Sequence, residues 1–409
     1  MSGRPRLLFL CQTLPYPPDG GVQIRTYNVL RLLAKAFDVE ALCFFRWKGG
    51  AVQRDVEKNA AALGDLADVE VFPIPQEHSR TRYLWDHLRS LLTRRVYTNY
   101  VYDSKDYAER LERRVNEASF DLVHFDSLDL IGYLPLLRGL PTVCVHHNVE
   151  SMLLRRRAKA ERAAWRKAYV SYQASLTQRQ EREWCGRVNL NVTVSEEDRQ
   201  ALQSQVPEGR FMVVPNGVDV GRFEPAVGRD EGLVFVGGNT WFPNRDALDY
   251  FCGSILPLMR ESGVGAPVRW VGRASESERE EYGRRYGIEL TGYVDDIRPY
   301  VGDAACYIVP LRVGGGTRLK ILDAWAMGKA VVSTSIGCEG LAARDGENIL
   351  VRDAPREFAD AVGAVLSDGA LRRRLGANAR KTAESLYSWE VIGKPMIERY
   401  LALIGRDRE

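Results

Sequence analysis

A chain of 409 residues is too long for one comfortable core and fits two domains of about 200 residues each. Formal net charge is only +3, with 31 Lys/Arg against 26 Asp/Glu in residues 1–210 and 26 against 28 in the rest. That balance, with no nucleic-acid-binding motif, leaves nucleic acid out of the expected partners. The seven cysteines are odd in number, scattered and free of any CxxC pair, which suits a reducing cytoplasm better than a disulfide framework. Leu7–Cys11 is too short for a signal-peptide core, and no apolar run approaches the roughly 20 residues of a membrane span. Any membrane contact is expected to be peripheral, at the inner face of the plasma membrane.

The first apolar run, Leu7–Cys11, is followed by Pro17-Pro18-Asp19-Gly20-Gly21 and a helical pattern over Ile24–Ala36. Gly20 and Gly21 thus form a loop-to-helix turn suited to an anion or an acceptor, with Arg25 one turn further in. Further short apolar runs follow at Val39–Phe45, Val69–Phe72, Leu122–Phe125, Thr142–Val145 and Leu190–Val194. His124 ends one of these strands and His146-His147 another. A neutral imidazole at either rim can accept a hydroxyl proton or hydrogen-bond a sugar in transfer. Residues Val149–Trp184 read as one long helix, and between Leu154 and Arg187 ten Arg/Lys stand against three Glu. Interspersed Leu153, Leu154, Trp165 and Tyr169 make 154–187 a candidate for an anionic membrane surface, with a solvated charged face as the equal alternative.

A turn-rich stretch, 214–230, reads as a linker, after which the pattern restarts with Leu233–Val236, Val268–Val271, Ile288–Thr291, Cys306–Val309 and Ala330–Thr334. Strands alternating with helices predict an α/β fold of two Rossmann-like doubly wound parallel-sheet domains facing across a cleft, over 1–213 and 231–386. A terminal helix within 387–409 is expected to pack back on the first domain. Ligands in such domains collect at the carboxyl ends of the strands.

One such end carries the strongest local signal. After Cys306–Val309 come Gly314-Gly315-Gly316-Thr317-Arg318-Leu319-Lys320 and a helical pattern up to Gly328. Glycines let backbone amides approach an anion, and the helix start adds partial positive charge. Thr317 is placed to cap the helix, Arg318 and Lys320 supply full charges, and Asp323 presents a carboxylate to vicinal hydroxyls. An anion site beside a diol acceptor describes a nucleotide sugar.

Taken together, Pro215-Asn216-Gly217-Val218-Asp219, Phe235-Val236-Gly237-Gly238, Pro243-Asn244, Val271-Gly272-Arg273, Thr291-Gly292-Tyr293-Val294-Asp295-Asp296 and Val309-Pro310-Leu311 through Ala326-Met327-Gly328-Lys329 resemble the GT-B glycosyltransferases of family 4. The resemblance is closest to the subset found with bacterial exopolysaccharide and exosortase gene clusters. It implies retaining, metal-independent transfer of a hexose from an NDP-sugar to a hydroxyl of a saccharide or lipid-linked acceptor, with no cofactor. It further implies donor contacts from Gly237, Gly238, Asn244, Arg273, Tyr293, Val294, Gly314, Gly315, Gly316, Thr317 and Asp323, and a site-lining imidazole at His147. Family members carry two acids eight residues apart; Asp323 falls on the second position, and Gly315 stands at the first. Gly238 and Asn244 occupy places where the family often has Arg and Lys, so Arg318 and Lys320 are expected to supply that charge. Asp295-Asp296 is expected to cap a helix near the base and to bind no metal. A nucleotide-sugar-binding protein without transferase activity and a GT-B epimerase remain as alternatives, whereas the spacing after the first strand disfavours a dinucleotide dehydrogenase.

Overall fold

The computed structural model describes residues 3–46, 53–77, 79–137, 139–161, 163–226, 228–314 and 319–405. The chain divides into two compact units, 1–215 with 393–409, and 216–392. In the first, seven parallel strands run β1 (Arg6–Cys11), β2 (Asp38–Phe45), β3 (Asp68–Pro73), β4 (Leu122–Phe125), β5 (Thr142–His146), β6 (Leu190–Thr193) and β7 (Phe211–Val213). Their order in the sheet is β3-β2-β1-β4-β5-β6-β7. Leu7 through Cys11 are fully buried, because helices cover both faces and a central parallel strand then needs an unbroken apolar run.

The second unit holds six parallel strands, β8 (Leu233–Val236), β9 (Val268–Val271), β10 (Ile288–Leu290), β11 (Cys306–Val309), β12 (Val331–Ser333) and β13 (Leu350–Val351), in the order β10-β9-β8-β11-β12-β13. Both orders are doubly wound. The chain reverses direction across the sheet at β1/β4 in one unit and at β8/β11 in the other, where loops diverge and leave room for ligands.

Part of the stretch read as a linker is built into the second unit. Val218 donates its N–H to the carbonyl of Tyr387, and Arg380 reaches the carbonyls of Val220 and Phe223. A Cβ at Gly217 would lie 2.7 Å from the Trp389 ring, so only glycine lets the backbone pass there. The helix Trp389–Leu403 begins in the second unit and ends in the first, where Tyr400 is fully buried.

Two expectations are corrected. The long helix over 149–184 is two helices, Glu150–Ala160 and Ala164–Cys185, packed against each other. The break falls where Glu161 takes an extended conformation, φ −75° and ψ 127°, turning the chain after Ala160. Arg25, expected to reach an anion or acceptor, is instead 2% exposed and donates to the carbonyls of Val214 and Pro215 at 2.8 and 3.0 Å. Burial lowers its pKa to about 10, against the opposing pull of Asp126. Arg25→Met is therefore expected to strip two buried carbonyls of their donor and destabilise the first unit by about 3 kcal/mol. Urea denaturation would show it as a lower midpoint at unchanged slope.

Candidate functional site

In the first unit the strand ends carry a buried polar cluster. Asp126, one residue past β4, is 1% exposed and accepts from Thr26 Oγ1 at 2.7 Å. His147 Nε2 faces its Oδ2 at 3.5 Å and His124 Nε2 its Oδ1 at 3.9 Å, separations beyond a normal hydrogen bond. Burial alone would raise the Asp126 carboxyl; the charge of His147 and the close approach of both imidazoles outweigh it and hold the pKa below the usual carboxylate range. An ionised carboxylate behind an imidazole fixes its orientation and stabilises it when it takes a proton.

His147 lines a cavity of about 910 Å³ that lies wholly within this unit. Near His147 the wall carries Asp129 and Glu150. Burial, reinforced by the charge of Asp129, pushes Glu150 up to about 7, and burial also raises Asp129. Glu150, beside Asp129 and a carboxylate-backed imidazole, is thereby able to hold or pass a proton near neutral pH. Asp126, Asp129 and Glu150 were not singled out from sequence. The signal was available in the run His124-Phe125-Asp126-Ser127-Leu128-Asp129, which places acids just beyond a strand's carboxyl end.

His124 and His146 do not sit at an open rim. His124 is fully buried, stacked on Phe9 and paired through Nδ1 with Tyr400 Oη at 3.1 Å. His146 is 3% exposed, with Nε2 against Asn191 Oδ1 at 3.0 Å, and burial lowers its pKa to about 4. Both are neutral packing groups, although His146 also touches the cavity wall. Gly20 precedes the helix Gly21–Leu33, whose first hydrogen bond runs from the Ile24 N–H to the Gly20 carbonyl.

In the second unit, the start of the helix Leu319–Ala326 that follows β11 reaches β8 and the helix Phe242–Tyr250, and the loops after β8 and β9 run close together. Lys320 Nζ lies 4.1 Å from the Phe235 ring centroid and donates to Asn244 Oδ1 at 2.8 Å, while Asn244 Nδ2 donates to the Gly238 carbonyl. A Cβ on Gly237 would sit 2.6 Å from Asn244 Nδ2, and one on Gly238 3.1 Å from the Arg273 amide nitrogen. The two loops run so close that a long side chain at Gly238 has no easy path. Lys320 is the cation that reaches Asn244 from the helix Leu319–Ala326.

Asp323, one turn further along that helix, carries a carboxyl that burial pushes up to about 7, with Arg222 pulling the other way. Arg273 stacks over the exposed ring of Tyr293 at 5.0 Å, and Val294 packs partly against the core. Asn239 is 5% exposed, yet neither its side-chain oxygen nor its nitrogen finds a partner among the described residues. A buried amide left so is expensive unless a ligand satisfies it; sequence inspection had passed it over. Gly314 adopts φ 148°, a glycine conformation. Gly315, Gly316, Thr317 and Arg318 lie outside the described residues. Asp296 Oδ1 accepts from the Arg298 N–H at the start of the helix Arg298–Asp303, and its carboxylate also grips the Arg298 side chain. Among the described residues, no group of three or more His, Cys, Asp and Glu side chains is arranged to hold a metal ion.

Comparison with known proteins gives this arrangement its context. A family model described as "Glycosyltransferase Family 4" matches residues 19–222, and one described as "Glycosyl transferases group 1" matches 230–368. An uncharacterized 44.6 kDa protein in the cps region of Klebsiella pneumoniae is 29% identical over 31% of this chain and 35% of its own length. The lipopolysaccharide core biosynthesis glycosyltransferase LpsE of Rhizobium meliloti (strain 1021) is 32% identical over 29% of this chain and 34% of its own. The matches thus span about a third of the length of these curated relatives. The crystal structure of HepE from Anabaena in complex with UDP superposes with a TM-score of 0.67 over 97% of this chain and 100% of that one, at 14% identity, a likeness of fold. With both halves of the chain matched and both sheets doubly wound, the protein belongs to the family 4 glycosyltransferases of GT-B fold.

Proposed function

We propose that the protein is a retaining, metal-independent glycosyltransferase that moves a hexose from an NDP-sugar to a hydroxyl of a saccharide or glycolipid in bacterial cell-surface polysaccharide synthesis. The observation that carries this reading is the placement of Lys320 and Asp323 one turn apart on the helix after β11, with Lys320 bound to Asn244. In this reading Lys320 and the backbone amides of the glycine loop, with Arg318, neutralise the diphosphate. Asp323 accepts hydrogen bonds from ribose hydroxyls, and Tyr293 offers its exposed ring to the base. Charge that develops on the leaving diphosphate is met by these donors, which is how a site accelerates departure without a metal. His147, oriented by Asp126, binds the reacting hydroxyl or the sugar in transfer. HepE, a relative in fold, was solved with UDP, which supports trying UDP first, and LpsE is described as a lipopolysaccharide core biosynthesis glycosyltransferase, which supports a surface glycan.

A thermal-shift screen of UDP-, GDP- and dTDP-hexoses is expected to raise the melting temperature with one of them, since a ligand of the native state stabilises it. No shift with any nucleotide sugar would overturn the reading. Nuclear magnetic resonance of the product formed in EDTA is expected to show the donor's anomeric configuration kept. His147→Ala is expected to lower kcat by about 10²-fold while leaving the donor-induced shift in place. Loss of both together would move His147 out of the assigned role.

A further inference from the structure

The helix Arg80–Thr93 is built inside out. Its buried side chains are Asp86 and Ser90, held by Gln76 Nε2 at 3.0 Å and Gln173 Nε2 at 2.8 Å. Its outward face carries Tyr83, Leu84, Trp85, Leu88, Leu91 and Leu92, all between 45% and 70% exposed. Fourteen large apolar side chains are exposed among the described residues of the whole chain, and six of them lie on this one helix. A water-facing helix does the reverse, placing its leucines inward and its charges outward. Polar hydrogen bonds fix this helix to the protein, so its apolar face is left for a second apolar phase.

The face is continuous with the cavity that ends at His147. Tyr83 and Leu84 line that cavity, as do Trp165, Tyr169 and Val170 from the neighbouring helix Ala164–Cys185. The cavity is thus apolar and aromatic toward the helix Arg80–Thr93, and acidic and imidazole-bearing toward His147 and Glu150. Exposed cations surround the apolar residues: Arg80, Arg94 and Arg95 at the ends of the helix, and Arg157, Arg166 and Lys167 beside Trp165. Tryptophan and tyrosine bordered by arginine and lysine are the composition of a protein surface resting in the headgroup region of an anionic bilayer. The sequence pointed to 154–187 for this contact; more of the exposed large apolar side chains lie on the helix Arg80–Thr93.

We propose that the acceptor is an amphiphile, a lipid-linked saccharide whose hydroxyl end lies at His147 and whose hydrocarbon chain leaves the cavity along the apolar face of the helix Arg80–Thr93, itself seated in an anionic bilayer. This rests on the transferase reading for the reaction and on the cavity for the acceptor's chemistry. A single-sided polar acceptor would need neither the aromatic half of the cavity nor the exposed leucines. One that stays anchored in lipid uses both, and the enzyme then meets it by diffusion in two dimensions.

The test uses the full chain and two probes. Dodecyl β-glucoside, below its micelle concentration, is expected to bind at least tenfold more tightly than methyl β-glucoside. Leu84→Glu, at an exposed position on the cavity wall, is expected to remove at least fivefold of that affinity. Vesicles of phosphatidylglycerol and phosphatidylethanolamine are expected to sediment the protein, and vesicles of phosphatidylcholine to do so at least fivefold less. Leu88→Glu with Leu92→Glu, outside the cavity, is expected to abolish sedimentation and leave dodecyl β-glucoside binding within twofold. Equal affinity for the two glucosides, or vesicle binding that survives the double substitution, overturns the proposal. The nucleotide-sugar thermal shift is read separately on each protein, so a failed donor site and a failed lipid site give different results.

Discussion

Lys320→Met is expected to lower kcat/KM for the nucleotide sugar by about 10²- to 10³-fold, most of it in kcat. Methionine keeps the methylene contact with Phe235 and the helix propensity, and removes only the ammonium that reaches Asn244. The effect is expected to be large because, among the described residues, the neighbouring cations Arg312 and Arg273 are engaged elsewhere. Gly237 and Gly238 are closed to a side chain by Asn244 and the Arg273 backbone. Arg312 is committed to Asp246 and the Tyr250 ring, and Arg273 lies over Tyr293. If the charge matters and its point of origin does not, Asn244→Lys in the Lys320→Met background brings it back from the opposite helix, Phe242–Tyr250, and at least a tenfold recovery is expected. Steady-state kinetics with varied donor reads both variants. A single variant with unchanged kinetics would show that the diphosphate is neutralised elsewhere.

How much of this was legible in sequence follows from what each feature depends on. Central strands such as Leu122–Phe125 and Cys306–Val309 are short runs buried on both faces, and their positions could be read to within a residue. β7 and β13 have three and two residues; Phe211-Met212-Val213 and Leu350-Val351 are apolar but too short to be told from apolar residues in a loop. The glycine-loop signal is local, with strand, glycines, cations and acid in one order within twenty residues, but Gly315 to Arg318 lie outside the described residues. The fates of His124 and His146 were not legible, since where both sheet faces are covered a strand's alternation does not tell core from rim. His124 is moreover held by Tyr400, 276 residues away. The helix Arg80–Thr93 misleads in the opposite sense: its leucines and aromatics look like a core-facing stripe, and only the packing of Asp86 and Ser90 shows which side is buried.

Asp323 marks where stability and binding pull against each other. Its carboxyl ordinarily titrates near 3.8, and burial raises it to about 7 in the unliganded protein. Between those values the folded state keeps a proton that the unfolded chain has lost, so stability falls as pH rises from about 4 to 7 and levels off above. The full shift would be worth roughly 4 kcal/mol; because the side chain is only partly buried, about 2 kcal/mol is the better expectation. Asp323→Asn removes the ionisation and keeps the shape, so at pH 8 the variant should melt about 4–8 °C above the parent, and at pH 4.5 the two should coincide. The same substitution should weaken the nucleotide sugar by tenfold or more, because ribose hydroxyls then lose a charged acceptor worth about 1.5–3 kcal/mol. Bound donor replaces the water that burial removed from the carboxylate, so binding releases a proton below pH 7 and tightens as pH rises through that value. Melting curves and calorimetric titration from pH 4.5 to 8 test both halves. Parallel stability profiles for parent and variant would show that Asp323 is well solvated, and a donor affinity indifferent to the substitution would remove it from the ribose.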